Sequence, residues 1–213
     1  KRIHFSGSAS GITGKVMSVL ADMANTGGGE RFLMRVPSDL RRYLADGEFT
    51  ASNCSSAFDL EPGAERAPKK MQHMLINAMR NKQDIALIHP NARYLQWFPI
   101  RMLKTPEKLR KQIYDNNKFP YSVALTNMGE IPMQRFSCPQ FICTNAFGVN
   151  IPLPLAPLSV SFFFCNTGVW FSIGMPRAAG TQQDLDNVAS EIVSRLHALE
   201  SASKKSKEKQ HDA

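Results

Sequence analysis

The sequence predicts an α/β fold, a two-layer sandwich in which helices cover a mixed β-sheet. Three observations predict it. Amphipathic helical stretches stand near the start, over 69–83 and at the end of the chain. Strand-like runs rich in aromatic and β-branched residues fill much of the second half. Helices and strands interleave with no internal repeat.

The elements follow in order. "RIHFSGS" reads as extended, and a helix follows in which Ile12, Val16, Val19, Leu20 and Met23 share one apolar face, capped by Thr13 or Ser10. "RFLMRV" reads as a buried strand that stops at Pro37, and "SDLRRYL" as a turn or short helix. "FTASNCSSAFDL" alternates loosely, as an extended segment does, and "PGAERAPKK" is a loop leading into the helix over 69–83. That helix turns Met71, Met74, Leu75, Ala78 and Met79 inward; helical spacing favours core packing over an adaptable methionine groove. From 89 to 120 the pattern is irregular, with "TPEKLRKQIYDNN" a short helix capped by Thr105. "YSVALTNMGEIPMQRF", "FICTNAFGVNI", "LSVSFFFCN" and "VWFSIGMP" read as the sheet, with a hairpin at Asn166-Thr167-Gly168. A last helix from about 182 to 199 carries Leu185, Val188, Ala189, Ile192 and Leu196, with Thr181 and Asp184 as a capping box. Residues 1–199 thus read as one folded lobe, and 200–213, "SASKKSKEKQHDA" with Ser201 onward, as a disordered basic tail.

Composition narrows the function classes. A chain of 213 residues with 43% apolar and 21% charged residues can bury a core. Its longest apolar region, "IPLPLAPLSVSFFFCNTGVWF", is broken by Pro152, Pro154, Pro157, Asn166 and Gly168, which argues against a membrane span. "KRIHFSGSAS" lacks an initiating Met and a signal-peptide pattern and reads as a start cut from something longer. Cys54, Cys138, Cys143 and Cys165 have no metal-binding spacing and no tight disulfide framework, so no metal is expected and a reducing, cytoplasmic setting is. The net charge of +8 is scattered between the tail lysines and the solvent face of the second helix, at Lys69, Lys70, Arg80 and Lys82. Nucleic acid is therefore disfavoured as a partner. An acidic protein partner stays open.

Local motifs offer little chemistry. Gly14-Lys15 between a strand and a helix looks like a phosphate loop, yet Val16 stands where a magnesium-binding hydroxyl belongs and Ala9 where the first glycine does. A helix start is the better account, and nucleotide binding is kept only as a third hypothesis. The five histidines, at 4, 73, 89, 197 and 211, are isolated, and there is no Gly-x-Ser-x-Gly elbow. No residue of this chain is read as catalytic.

Four short motifs in a fixed order carry a resemblance. Gly11-Ile12-Thr13, Pro37-Ser38-Asp39-Leu40-Arg41, Ser52-Asn53 and Thr126-Asn127-Met128-Gly129 resemble a Gly-Val-Thr helix start, a Pro-Val-Asp-Leu-Arg stretch, a Gly-Asn strand and a Ser-Asn-Leu-Gly strand. These belong to the C-terminal half of the chloramphenicol-acetyltransferase-like superfamily, which includes condensation domains, polyketide-associated acyltransferases and alcohol acetyltransferases. The likeness runs to about Leu199. An Asp-Phe-Gly-Trp-Gly segment and the sharper late motifs of peptide-synthetase condensation domains are absent, which points toward a stand-alone or tailoring acyltransferase.

The resemblance implies a CAT-like C-terminal lobe and transfer of an acyl group from a thioester, acyl-phosphopantetheine on a carrier protein or acyl-CoA, to an alcohol or amine. It implies no bound cofactor. In the family a His-His-x-x-x-Asp-Gly segment of the N-terminal half handles the proton, so an N-terminal lobe, on the same gene or a separate chain, is the expected partner. An acyl carrier protein is a further one. Asn127 and Gly129 would lie where the thioester arm enters the substrate tunnel, or else serve only as a strand end. Arg41 would brace the other lobe through an ion pair, or stand on the surface, and Asn53 would bond backbone. The competing reading is a binding or scaffold module that kept the fold and lost the chemistry.

Overall fold

The computed structural model describes residues 1–26, 31–45, 54–86, 113, 115–116, 118–144, 146, 148 and 155–211. Six strands form one mixed sheet: β1 (Arg2–Phe5), β2 (Met34–Asp39), β3 (Ser55–Leu60), β4 (Val123–Glu130), β5 (Ser159–Cys165) and β6 (Gly168–Gly174). Their spatial order is β1-β6-β5-β4-β2-β3. β4 runs parallel to both β2 and β5, and the remaining neighbours are antiparallel. The helices are α1 (Ile12–Thr26), α2 (Pro68–Arg80), the single turn α3 (Gln83–Ala86) and α4 (Gln182–His211).

Alternation along the strands decides which side the helices cover. Met34 and Val36 of β2, Val123 and Leu125 of β4, Val160 and Phe162 of β5, and Val169, Phe171 and Ile173 of β6 all belong to one buried cluster. Val16, Leu20 and Ala21 of α1, Met71 and Leu75 of α2, and Leu185, Ala189, Ile192 and Leu196 of α4 complete it. Phe162 and Phe171 are register partners, with ring centroids 5.4 Å apart. The three predicted helical stripes are thus the helix side of a two-layer core, except that Met79, expected to face inward, is exposed.

The hairpin forms as predicted, with Cys165 paired to Gly168 across Asn166 and Thr167 and Gly168 at φ 123°. The capping box forms as well. Thr181 N donates to Asp184 Oδ2 at 2.8 Å, and Asp184 N to Thr181 Oγ1 at 3.2 Å. Where α1 crosses α2, Gly14 stands so close to Pro68 that a Cβ would lie 2.4 Å from the Pro68 carbonyl oxygen.

Several boundaries differ from the sequence reading. β2 continues through Pro37, which pairs with Ala57 of β3; the ladder to β4 covers only Met34 and Arg35, so beyond it β2 is an edge, where a strand tolerates proline. The helix expected over 69–83 breaks at Asn81, because Lys82 adopts φ 53° before α3 begins. Neither Thr13 nor Ser10 caps α1. Thr13 lies inside the helix and accepts a hydrogen bond from Asn127 instead. Of the run "FICTNAFGVNI" the described residues hold only a bridge, Cys138 to Phe141, and "MQRF" is a 3-10 turn rather than strand. α4 passes the expected end near residue 199 and reaches His211. Thr105 and most of the short helix expected over 105–117 lie outside the described residues; of that run Ile113 and Asp115 are described, and both are helical.

Candidate functional site

Three of the four dispersed motifs converge on one cavity of about 330 Å³. Thr13 comes from the first turn of α1, Pro37, Ser38 and Asp39 from the end of β2, and Asn127 from the end of β4. β2 and β4 are parallel, so both deliver their C-terminal ends here, the usual place for a crevice in an open α/β sheet. The walls are apolar: Val36, Phe58, Leu75 and Leu125 are buried, and Met79 of α2 is left 37% exposed.

Asn127 and Gly129 make a bulge where the β4–β5 register shifts. Asn127 Nδ2 donates to Thr13 Oγ1 at 2.9 Å, and Asn127 Oδ1 accepts from Gly129 N at 2.8 Å. Gly129 holds φ 76°, a conformation that suits glycine. Asn127 lines the cavity; Gly129 is not among the lining residues and shapes the turn behind it.

Arg41, read from sequence as a brace toward another lobe, pairs with its near neighbour Asp39 at 3.1 Å, with 48% of its side chain exposed. The arginine of a buried pair is the next residue. Arg42 Nη2 lies 2.5 Å from Asp84 Oδ2, and Asp84 is completely buried. Ser38 Oγ donates to the same carboxylate at 2.7 Å and Tyr43 Oη at 2.9 Å, while the Asp84 carbonyl accepts from Ser56 Oγ at 2.7 Å. Burial pushes the Asp84 carboxyl up, but the bonds from Ser38 and Tyr43 and the Arg42 charge outweigh it, so it titrates below an ordinary aspartate. The sequence reading missed Asp84; a lone aspartate in a helical turn carries no local signal of burial. Asn53 lies outside the described residues.

The lysine of the phosphate-loop look-alike is otherwise employed. Lys15 Nζ pairs with Glu200 Oε1 of α4 at 3.3 Å, and Gly14 N donates to Gln72 of α2. Of the histidines whose side chains are described, His4 packs at a tilt against Trp170, His197 at a tilt against Phe5, and His73 lies on the outer side of α2; none lines the cavity. His89 is not described. Among the described residues no group of three or more His, Cys, Asp or Glu side chains could hold a metal ion, and no helix is long and apolar enough to cross a membrane.

No family model matches the sequence, and no curated protein matches it. Solved structures do. The starter condensation domain of rhizomide synthetase aligns at TM-score 0.58 and 12% identity, over 94% of this chain and 45% of that one. The epimerization domain from the third module of tyrocidine synthetase B aligns at TM-score 0.56 and 11% identity, over 93% and 47%. The first condensation domain of the CDA synthetase aligns at 0.52 and 11%, over 92% and 43%. This chain spans less than half the length of each. At such identities the likeness concerns fold: these residues have the architecture of one half of a condensation domain, the chloramphenicol-acetyltransferase-like fold.

Proposed function

We propose that the chain is the C-terminal half of a thioester-dependent acyltransferase or condensation-type enzyme. The observation that carries this reading is that nearly the whole chain superposes on under half of proteins named as condensation and epimerization domains. Convergence of the Thr13, Pro37–Arg41 and Asn127 motifs on one cavity supports it.

The donor is an acyl-phosphopantetheine on a carrier protein, or acyl-CoA, and the acceptor an alcohol or amine. The acceptor O–H or N–H gives its proton to an imidazole of a second lobe and attacks the thioester carbonyl carbon. The tetrahedral intermediate collapses with cleavage of the C–S bond, and the thiolate leaves and takes up a proton. The ester or amide is released. This chain contributes the wall that holds the acyl portion, braced by the Asn127–Thr13 and Arg42–Asp84 contacts.

The test is reconstitution. The 213-residue chain is combined with the polypeptide encoded immediately upstream, and transfer from an acyl thioester to an amine or alcohol is followed by mass spectrometry. Transfer that vanishes when the histidine pair of that polypeptide is replaced is the expected result. An upstream polypeptide lacking the histidine pair, with no transfer, would establish the scaffold reading instead.

A further inference from the structure

We propose a second ligand site, at the end of the sheet opposite the Thr13–Asn127 cavity, that takes a planar aromatic anion on Arg66. It goes beyond the acyl-transfer reading and does not rest on it.

The approaches to three strands build the site. Arg31 and Phe32 lead into β2, Phe119 and Tyr121 into β4, and Pro157 and Leu158 into β5; because those strands run the same way, these residues gather at one end. Met23 and Ala24 of α1 and Val188 of α4 stand over them, and a cavity of about 590 Å³ is left between. That volume lies well within the range of small-molecule sites, roughly 300–1,000 Å³. Phe32, Phe119 and Tyr121 are each half-buried along it. Aromatic walls of this kind favour a flat ring, which meets them offset or edge to face.

The charges decide the sign of the ligand. Arg31, Glu61 and Arg66 are the charged residues among those that line the cavity. Arg31 holds Glu61 through two bonds, Nε to Oε1 at 3.0 Å and Nη2 to Oε2 at 2.9 Å, so this pair cancels. Arg66 is left over. Its Nη1 donates to the Ala21 carbonyl of α1 at 2.6 Å and its Nε to the Gly63 carbonyl at 3.3 Å, dipoles that fix the guanidinium without neutralising it. The neighbouring Glu65 pairs with Lys70 instead, at 3.1 Å. Among the described residues no carboxylate pairs with Arg66, and its Nη2 makes no hydrogen bond. A half-buried guanidinium without a counter-ion, beside apolar walls, favours an oxyanion whose ring lies among the aromatic side chains.

The experiment titrates the 213-residue chain, isotope-labelled at its methionine methyl groups, with β-naphthoate and with β-naphthalenesulfonate. Two controls are β-naphthylmethylammonium, which keeps the ring and reverses the charge, and octanoate, which keeps the charge and lacks the ring. At least one aromatic anion should saturate one site, moving the Met23 methyl resonance and leaving that of Met79, in the other cavity, still. Ala24→Trp, which fills the cavity from α1, should weaken binding by at least about tenfold, the scale on which an apolar pocket resolves small changes in fit. Arg66→Gln keeps N–H donors for the two carbonyls but carries no charge, and should weaken binding by about tenfold, the loss of one charge-assisted hydrogen bond. Saturation by the naphthoate alone identifies a carboxylate head, and by the sulfonate alone a sulfonate or sulfate head.

No saturable shift at Met23 would overturn the proposal. So would undiminished binding in Ala24→Trp or in Arg66→Gln, or either control binding as tightly as the aromatic anions. The two controls read charge and ring on the parent chain, so the outcome stands even where a variant loses stability.

Discussion

Asn127 Nδ2 reaches Thr13 Oγ1 across 2.9 Å and ties the bulged end of β4 to the first turn of α1. The same side chain accepts from Gly129 N and so holds the left-handed turn after it. Thr13→Ala removes one neutral hydrogen bond, a loss of about 1 kcal/mol. Asn127→Ala removes both contacts and should cost more. Urea unfolding of the two single variants and the double variant measures this, and additive losses would show that the two side chains are uncoupled.

Gly14 lets α1 and α2 approach. Alanine there gains up to about 1 kcal/mol in helix propensity, but its Cβ would meet the Pro68 carbonyl oxygen at 2.4 Å. Backbone cannot give way cheaply, and overpacking of this kind costs about 1–3 kcal/mol. The clash should win. Gly14→Ala is expected to lower the melting temperature, and an unchanged or raised one would contradict the close crossing.

Asp84 and Arg42 form the most buried ion pair among the described residues. Arg42→Ala leaves the buried Asp84 carboxylate without its counter-charge, though still bonded by Ser38 and Tyr43, and the expected loss is about 3 kcal/mol, the lower end for a buried pair. The lower end applies because Arg42 retains 28% of its side-chain exposure. Arg42→Lys should recover much of it. Equal stability of Arg42→Ala and the parent, measured in urea, would remove this pair as a support of the site.

Acid should destabilise the fold through its depressed carboxyl groups, of which Asp84 and Asp184 are two, beside Asp39, Asp186 and Glu61. Burial raises the Asp84 carboxyl, but its bonds from Ser38 and Tyr43 and the Arg42 charge lower it further, and the Thr181 hydroxyl and backbone N–H lower Asp184. For both, the folded-state pKa lies below the unfolded value, so the unfolded chain takes up protons first. Their contribution is complete above the ordinary aspartate pKa of about 3.9 and is lost as pH falls through the lower folded value. Urea midpoints across a pH series should fall below about pH 4, and less steeply in Asp84→Asn. A parallel fall in that variant would place the sensitivity elsewhere.

Much of the scaffold is legible in the chain itself. The stripes of α1, α2 and α4, the Asn166–Thr167 hairpin and the Thr181–Asp184 box arise from periodicity and from contacts between residues near in sequence. Break points were less so: Lys82 at positive φ and β2 running through Pro37 depend on what lies alongside, and periodicity carries no record of neighbours.

The site needed the tertiary structure. Arg41 and Arg42 are adjacent and chemically alike, and only the phase of the 3-10 turn after β2, together with the arrival of Asp84 from α3, decides that the second enters the buried pair. Thr13 and Asn127 stand 114 positions apart and meet because the sheet order sets β4 beside β2, beneath the start of α1. Sequence by itself determined which residues face inward, since helix and strand periods act locally. Which inward residues share a cavity was decided by strand order, a property of the assembled sheet.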